Sequence, residues 1–297
     1  MIIQENITLA PYTVFKIGGQ ARYFCEAQNL DEIREALLFA KNYNVPFFVL
    51  GAGSNILASD DGFDGLIIKM NLRNLEFRKS DFLGKLDFLV MADAGVSMAQ
   101  AVNFSVNQGL GGFEWAIGIP GTVGGSVFGN AGCFGLETKD IVESVNVLEV
   151  DMTNNCVIKE LNNTECNFKY RHSIFKQHPE WIILGANLHL FPRGAEESKK
   201  MILEYTKKRI GLQDIGSQCA GCIFKNISPE KPSGLLIDQA GLKGTSVGGA
   251  MVSKKHGNYI INTGNATARD VKELVSIIKS KVKSFHGVNL EEEIRYL

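Results

Sequence analysis

Three short segments carry residue types suited to proton transfer and charge stabilisation. Tyr170-Arg171-His172-Ser173 puts a permanent cation between an aromatic ring and an imidazole. Cys219-Ala220-Gly221-Cys222-Ile223-Phe224-Lys225-Asn226 sets two thiols ahead of an ammonium and an amide. Leu290-Glu291-Glu292-Glu293-Ile294-Arg295 gathers three carboxylates. A C-x-x-C pair can bind zinc, but a structural zinc site takes four ligands. No second pair exists, and His256, the next histidine along the chain, has no ligand-like companion. No metal is expected. A thioredoxin-like dithiol would need its own βα context. By spacing alone, the two cysteines read equally as small core thiols, Arg171 as a surface ion-pair residue and the acidic triplet as a solvated face.

A stronger signal comes from glycine. Ten of the 27 residues from Gly109 to Gly135 are glycine, where an average chain would place about two. The dense part is GIPGTVGGSVFGNAGCFG, residues 118–135, and a related loop, Gly51-Ala52-Gly53-Ser54-Asn55, follows the apolar run FFVL. Glycine lets a ligand approach the main chain, and successive N–H groups in such turns form an anion-binding nest. Two such loops suit a diphosphate, although tight turns alone would also explain GAGSN. Neither loop is a standard nucleotide motif. A dinucleotide fingerprint from Gly51 and Gly53 would need glycine where Ile56 stands, and G-K-S or G-K-T is missing, which excludes a P-loop.

Composition narrows the setting. With 297 residues, 45% hydrophobic and 21% charged, the chain can build one large core or two ordinary ones. Lys plus Arg is 31 against 32 Asp plus Glu, so the net charge is -1, and bulk charge gives no reason to expect nucleic acid or a membrane surface. The N-terminal segment does not read as a secretory signal, and no apolar run approaches the ~20 residues that span a bilayer. A cytoplasmic address with reduced cysteines is the expectation.

The elements that must position these residues are legible in part. Ile33, Ala36, Leu37 and Ala40 at helical spacing predict a helix over 31–43, and FFVL at 47–50 a buried strand. Ser97 and Gln100 form a capping-box pattern for a helix that Gly109 stops. Segments 145–150 and 181–191 read as strands. Pro192-Arg193-Gly194 precedes a charged helical stretch from 195 to 209 and marks an expected domain boundary. The clearest helix covers 268–286, with Val271, Leu274, Val275, Ile278 and Val282 as its stripe, Thr267 and Asp270 at its start and Gly287 at its end. The mixture predicts an α+β or α/β protein.

In order along the chain, nine blocks resemble the UDP-N-acetylmuramate dehydrogenase (UDP-N-acetylenolpyruvoylglucosamine reductase) family: TVFKIGG (13–19), VLGAGSNIL (49–57), GIPGTVGG (118–125), NAGCFG (130–135), YRHSIFK (170–176), GCIFKN (221–226), AGLKG (240–244), KHGNYIIN (255–262) and LEEEIR (290–295). The resemblance implies an FAD-binding domain of the vanillyl-alcohol-oxidase type over 1–192, with two α/β subdomains at about 1–72 and 73–192. It implies a C-terminal α+β substrate-binding domain over 193–297, whose segment 290–297 contributes to the active site. The implied cofactor is non-covalent FAD, with NADPH as co-substrate. The implied reaction turns the enolpyruvyl ether of a UDP-sugar into the lactyl ether, a cytoplasmic step of peptidoglycan synthesis that serves cell-wall biogenesis, cell shape and division. Nothing in it implies an obligate protein partner.

Residue by residue, Arg171 matches the family arginine that steadies the enolate, and Glu293 the catalytic carboxylate. Cys222 stands at the proton-donor position, where most of the family carries serine. A thiol, with a pKa of about 8.5, is a better acid than a hydroxyl. Lys225, Asn226 and Tyr170 are the candidate substrate contacts. Gly51, Ala52, Gly53, Ser54 and Asn55, with Gly118, Gly121, Thr122, Gly125, Asn130 and Gly132, are the candidates for holding FAD. The short stretch after Arg171 leaves no room for the tyrosine-bearing insert of one family type, so the chain resembles the shorter type. A small FAD oxidase of the same fold and a non-catalytic nucleotide-sugar-binding protein are the alternatives.

Overall fold

The computed structural model describes residues 1–82, 85–150, 156–214 and 216–297. The chain folds into two compact units. The first comprises Met1–Ile2, Cys25–Ala52 and Ile67–Lys208, and the second Ile3–Phe24, Gly53–Leu66 and Arg209–Leu297.

In the first unit, a five-stranded antiparallel sheet runs in the order Cys156–Asn162, Val142–Val150, Trp181–His189, Lys85–Asp93, Leu75–Phe82. Val90, Ala92, Val145, Val147, Ala186 and Leu188 are buried, the alternating apolar positions of its central strands. Helix α1, Leu30–Asn42, starts where the Asn29 side chain accepts the Glu32 N–H, and it buries the four residues its spacing predicts. Helix α2, Met98–Asn107, carries the expected Ser97/Gln100 capping box. Helix α3, Val123–Gly129, lies so close to the sheet that a Cβ on Gly124 would stand 2.7 Å from Cβ of Ala94. Glycine is what permits this approach.

Helix α4, Ala195–Leu212, fills the charged stretch and extends beyond residue 209. The division between the two compact units falls inside it, after Lys208. The second unit is also discontinuous. Its core joins Phe15, Ile17 and Leu57 to Ile223, Phe224, Leu236 and Ile237 and to the apolar stripe of α6, Ala268–His286. Residues far apart in sequence therefore complete one core. Helix α5, Ser233–Gln239, and the small sheet of Ser246–Val247, Ala250–Val252 and Ile260–Asn262 cover that core. Helix α6 begins and ends as its sequence predicts, with a Thr267/Asp270 capping box and Gly287 at φ 70°. A further cap comes from Asp60, whose carboxylate accepts the N–H of Ala268 at 2.7 Å and of Arg269 at 3.0 Å. At the C-terminus, Arg295–Tyr296 pairs in parallel with Ile56–Leu57.

Candidate active site

The first unit brings together Gly51 and Ala52 of the first glycine loop, the second glycine loop and Arg171. A Cβ built on Gly51 would lie 2.8 Å from Oγ1 of Thr122, so the end of the first loop abuts the second across a gap only glycine leaves open. Thr122 caps α3 by accepting the Gly125 N–H at 3.3 Å. Gly118 and Gly121 hold φ of 76° and 141°, and the Gly121 carbonyl accepts the Met98 N–H at 3.1 Å. Asn130, at φ 45°, ends α3 in the left-handed conformation. It is fully buried, and its amide is committed internally: Nδ2 donates to the Lys169 carbonyl at 2.9 Å and to Glu137 at 3.0 Å, and Oδ1 accepts the Lys139 N–H at 3.0 Å.

Arg171 sits at φ 53°, with its guanidinium on this second loop. Nη2 donates to the Gly132 carbonyl at 3.1 Å and Nη1 to that of Asn130 at 3.5 Å. Its Cζ lies 5.0 Å from the ring centre of Tyr170, a half-exposed side chain, at cation–π range. Lys176 donates to the Arg171 carbonyl at 2.7 Å, and Ser173 ties the segment to Phe128. The arginine is thus anchored to the backbone of the loop expected to hold the cofactor.

The second unit brings together Cys222 and Glu293. The chain around Cys222 runs between two neighbours. On one side Cys222 bridges Tyr259, and on the other Phe224 bridges Glu292, both antiparallel. The N–H of Lys225 donates to the Glu291 carbonyl at 2.8 Å, and that of Glu293 to the Ile223 carbonyl at 2.8 Å. Asn258, 2% exposed, clamps the middle of the segment: Oδ1 accepts the Phe224 N–H at 2.9 Å and Nδ2 donates to the Phe224 carbonyl at 2.8 Å. Asn55 donates its amide to the Glu293 carbonyl at 3.0 Å, and its own carbonyl accepts the Arg295 N–H at 3.0 Å. In the same unit, Gly53 has φ 64°, and a Cβ there would stand 2.2 Å from the Tyr12 carbonyl oxygen, so this turn also demands glycine. Lys225 pairs with the carboxylate of Glu291, and Asn226 accepts the Ser233 N–H at 3.0 Å at the start of α5.

Tyr259 is a residue the sequence reading did not single out. Burial pushes its phenol above the usual range, and the Cys222, Cys219 and Glu293 groups add to the rise while Arg209 opposes it. A phenol so shifted stays protonated, and its main chain bridges Cys222. Asn258 was likewise missed as a clamp. Both lie in the block 255–262, and only the pairing of distant segments reveals what they touch.

These features have counterparts in known proteins. Residues 21–152 match the family model described as FAD binding domain, and residues 213–297 match UDP-N-acetylenolpyruvoylglucosamine reductase, C-terminal domain. The UDP-N-acetylenolpyruvoylglucosamine reductase of Caldanaerobacter subterraneus subsp. tengcongensis is 41% identical over 98% of this chain and 92% of its own length. That of Chlamydia abortus is 37% identical over 99% of this chain and 94% of its own. The chain belongs to the UDP-N-acetylenolpyruvoylglucosamine reductase family. The crystal structure of the Thermus caldophilus reductase superposes with a TM-score of 0.80 at 32% identity, covering 99% of each chain. The expected α+β fold, an FAD-binding domain followed by the reductase C-terminal domain, is therefore the fold of this chain. The abutting loops at Gly51 and Thr122, with backbone that no Cβ crowds, fit a diphosphate-bearing flavin of this reductase family. No metal-ligating cluster of three or more side chains is present among the described residues, and none of the described helices is long and apolar enough to cross a membrane.

Proposed function

We propose that this chain reduces the enolpyruvyl ether of UDP-N-acetylenolpyruvoylglucosamine to the lactyl ether of UDP-N-acetylmuramate, with NADPH as reductant and Cys222 as proton donor. The observation that carries the reading is the seating of Cys222 and Glu293 on adjoining main chain. When bound, FAD would supply the two-electron redox chemistry that links NADPH to the substrate double bond. Arg171 opposes the negative charge that then gathers on the substrate carboxylate as it becomes an enolate; a forked, permanent cation suits that task. Cys222 gives its proton to the carbon that bears the carboxylate, which completes the lactyl group and leaves a thiolate that solvent reprotonates. General acid catalysis of this kind is worth ~10²–10⁴-fold. Glu293 is the carboxylate of the same step.

The backbone of Gly51, Ala52, Gly53, Ser54 and Asn55 and of Gly118, Gly121, Thr122, Gly125, Asn130 and Gly132 holds the cofactor in this proposal. Tyr170, Lys225 and Asn226 touch the sugar nucleotide. The functional division into 1–192 and 193–297, the cytoplasmic setting and the service to cell shape and division belong to the same reading. It is supported by the family membership and by the close approach of the two glycine loops.

Rapid mixing without oxygen tests it. NADPH should bleach the flavin, and the enolpyruvyl sugar nucleotide should restore its absorbance. In Cys222→Ala the bleaching should persist and the recovery should fall by ~10²-fold or more. Recovery at the wild-type rate in that variant would remove Cys222 from the mechanism.

A further inference from the structure

The strand Phe63–Met70 carries one lysine, Lys69, next to its inner end. Its side chain is partly buried, and its Nζ donates a hydrogen bond to the carbonyl oxygen of Gly51. Burial lowers the pKa of this ammonium; Glu26 opposes that effect and Arg73 adds to it. Withdrawing a lysine from water to serve a carbonyl that water could satisfy carries a desolvation cost. The position of that carbonyl gives the arrangement a use. Gly51 opens the first glycine loop, at the point where it abuts Thr122 of the second.

The peptide bonds of the described residues are all trans. In a trans peptide the C=O and the following N–H point in opposite directions. With the Gly51 carbonyl held by Lys69, the N–H of Ala52 therefore points away from the lysine. A glycine peptide is otherwise easily rotated, because no Cβ limits it. Without the lysine, the same peptide could turn its carbonyl outward and present an acceptor where an anion needs a donor.

We propose that Lys69 is a positioning residue for the FAD diphosphate: it locks the Gly51–Ala52 peptide so that the Ala52 N–H serves as a phosphate donor, and it places a positive charge behind that donor. This rests on the reading of the loop at 51–55 as a diphosphate site. Lys69 touches the loop and not the reacting atoms. Its effect falls on cofactor affinity, and on the phosphate-bearing part of the cofactor alone.

The test is fluorescence titration of the deflavinated full-length protein with FAD and, separately, with riboflavin, which lacks phosphate. Lys69→Met keeps the length of the side chain and removes its donor and charge. The FAD dissociation constant should rise by about tenfold or more, the worth of one charge-assisted hydrogen bond. Riboflavin binding should stay within about twofold, and Lys69→Arg should recover most of the FAD affinity. FAD binding by Lys69→Met within about twofold of wild type overturns the proposal. So does a parallel loss for FAD and riboflavin, which marks a scaffold effect, or an equal loss in the arginine variant. If Lys69→Met does not fold, the FAD-to-riboflavin ratio in Lys69→Gln decides by the same criteria. A wild-type protein that bound no FAD would defeat the cofactor reading itself, a result distinct from any of these.

Discussion

Glu114 offers a direct test of how the first unit holds its ligand loops. Its carboxylate is 2% exposed. One oxygen accepts the Ser198 hydroxyl at 2.6 Å and Nη1 of Arg193 at 3.0 Å, and the other accepts the Gly112 N–H at 2.8 Å. The residue lies just before the glycine-rich segment, and its neighbour Trp115 accepts the Cys133 thiol at 3.1 Å, so the start of that segment is tied to the later loop. Burial alone would raise the pKa of Glu114. The bonds from Ser198 and the main chain, with the charge of Arg193, outweigh it and hold the carboxyl below the usual range.

Glu114→Gln keeps the shape and removes the charge. One face of the new amide must then present N–H groups to a donor, either Gly112 on one side or Ser198 and Arg193 on the other. Removing one partner of a buried ion pair costs ~3–5 kcal/mol. Arg193 is 19% exposed and keeps a second contact with Glu197 at 3.4 Å, so the lower figure, about 3 kcal/mol, applies. At ~2–4 °C per kcal/mol, the melting temperature of the flavin-free protein should fall by ~6–12 °C. Ser198→Ala, which removes one neutral donor, should cost only ~1 kcal/mol. The pH dependence has a definite sign. A depressed folded-state pKa gives stability that is present above the unfolded value, about 4.3, and is lost as pH falls through the folded value. The wild type should therefore lose its advantage over Glu114→Gln on acidification below about pH 4. A melting drop under about 2 °C, or strictly additive losses in the Glu114→Gln/Arg193→Met pair, would refute the coupling.

Two further outcomes follow from close contacts. In Gly124→Ala the new methyl meets Cβ of Ala94 at 2.7 Å and must push α3 from the sheet; overpacking of ~1–3 kcal/mol should appear in thermal melts, with FAD bound at least about tenfold more weakly. Unchanged FAD affinity would show that α3 does not set the cofactor loop. Asp60→Ala strips two bonds from the start of α6 and should lower stability by ~1–2 kcal/mol, read from the urea midpoint at constant slope, with Asp60→Asn losing less. Equal losses for both variants would argue against a charge effect at that helix end.

The parts of the fold that were legible are those whose signals are local. Helix α6 begins and ends where Thr267, Asp270 and Gly287 say it should, because capping is decided within one turn of chain. The strand Leu75–Phe82 escaped notice because only Leu75 and Phe77 begin an alternation before charged residues take over. Nothing local tells Phe15 and Ile17 which core to join. They enter that of the C-terminal residues, which is why the second unit is discontinuous in sequence. Asn130 shows a related ambiguity at the site. An asparagine among glycines can offer a ligand its amide or build a left-handed turn, and here the amide is spent on the turn.

The same distinction bears on Cys222, the residue proposed as proton donor. Cys222 is located by the Ile223 N–H on the Asn258 carbonyl at 2.9 Å, by the Asn258 clamp on Phe224, and by the paired main chain of 291–293. None of these bonds uses the Cys222 side chain. The place of residue 222 is therefore set by backbone and a neighbouring asparagine. A serine and a cysteine can occupy it on the same main-chain bonds. Changes at Asn258 would instead loosen the segment that carries the residue.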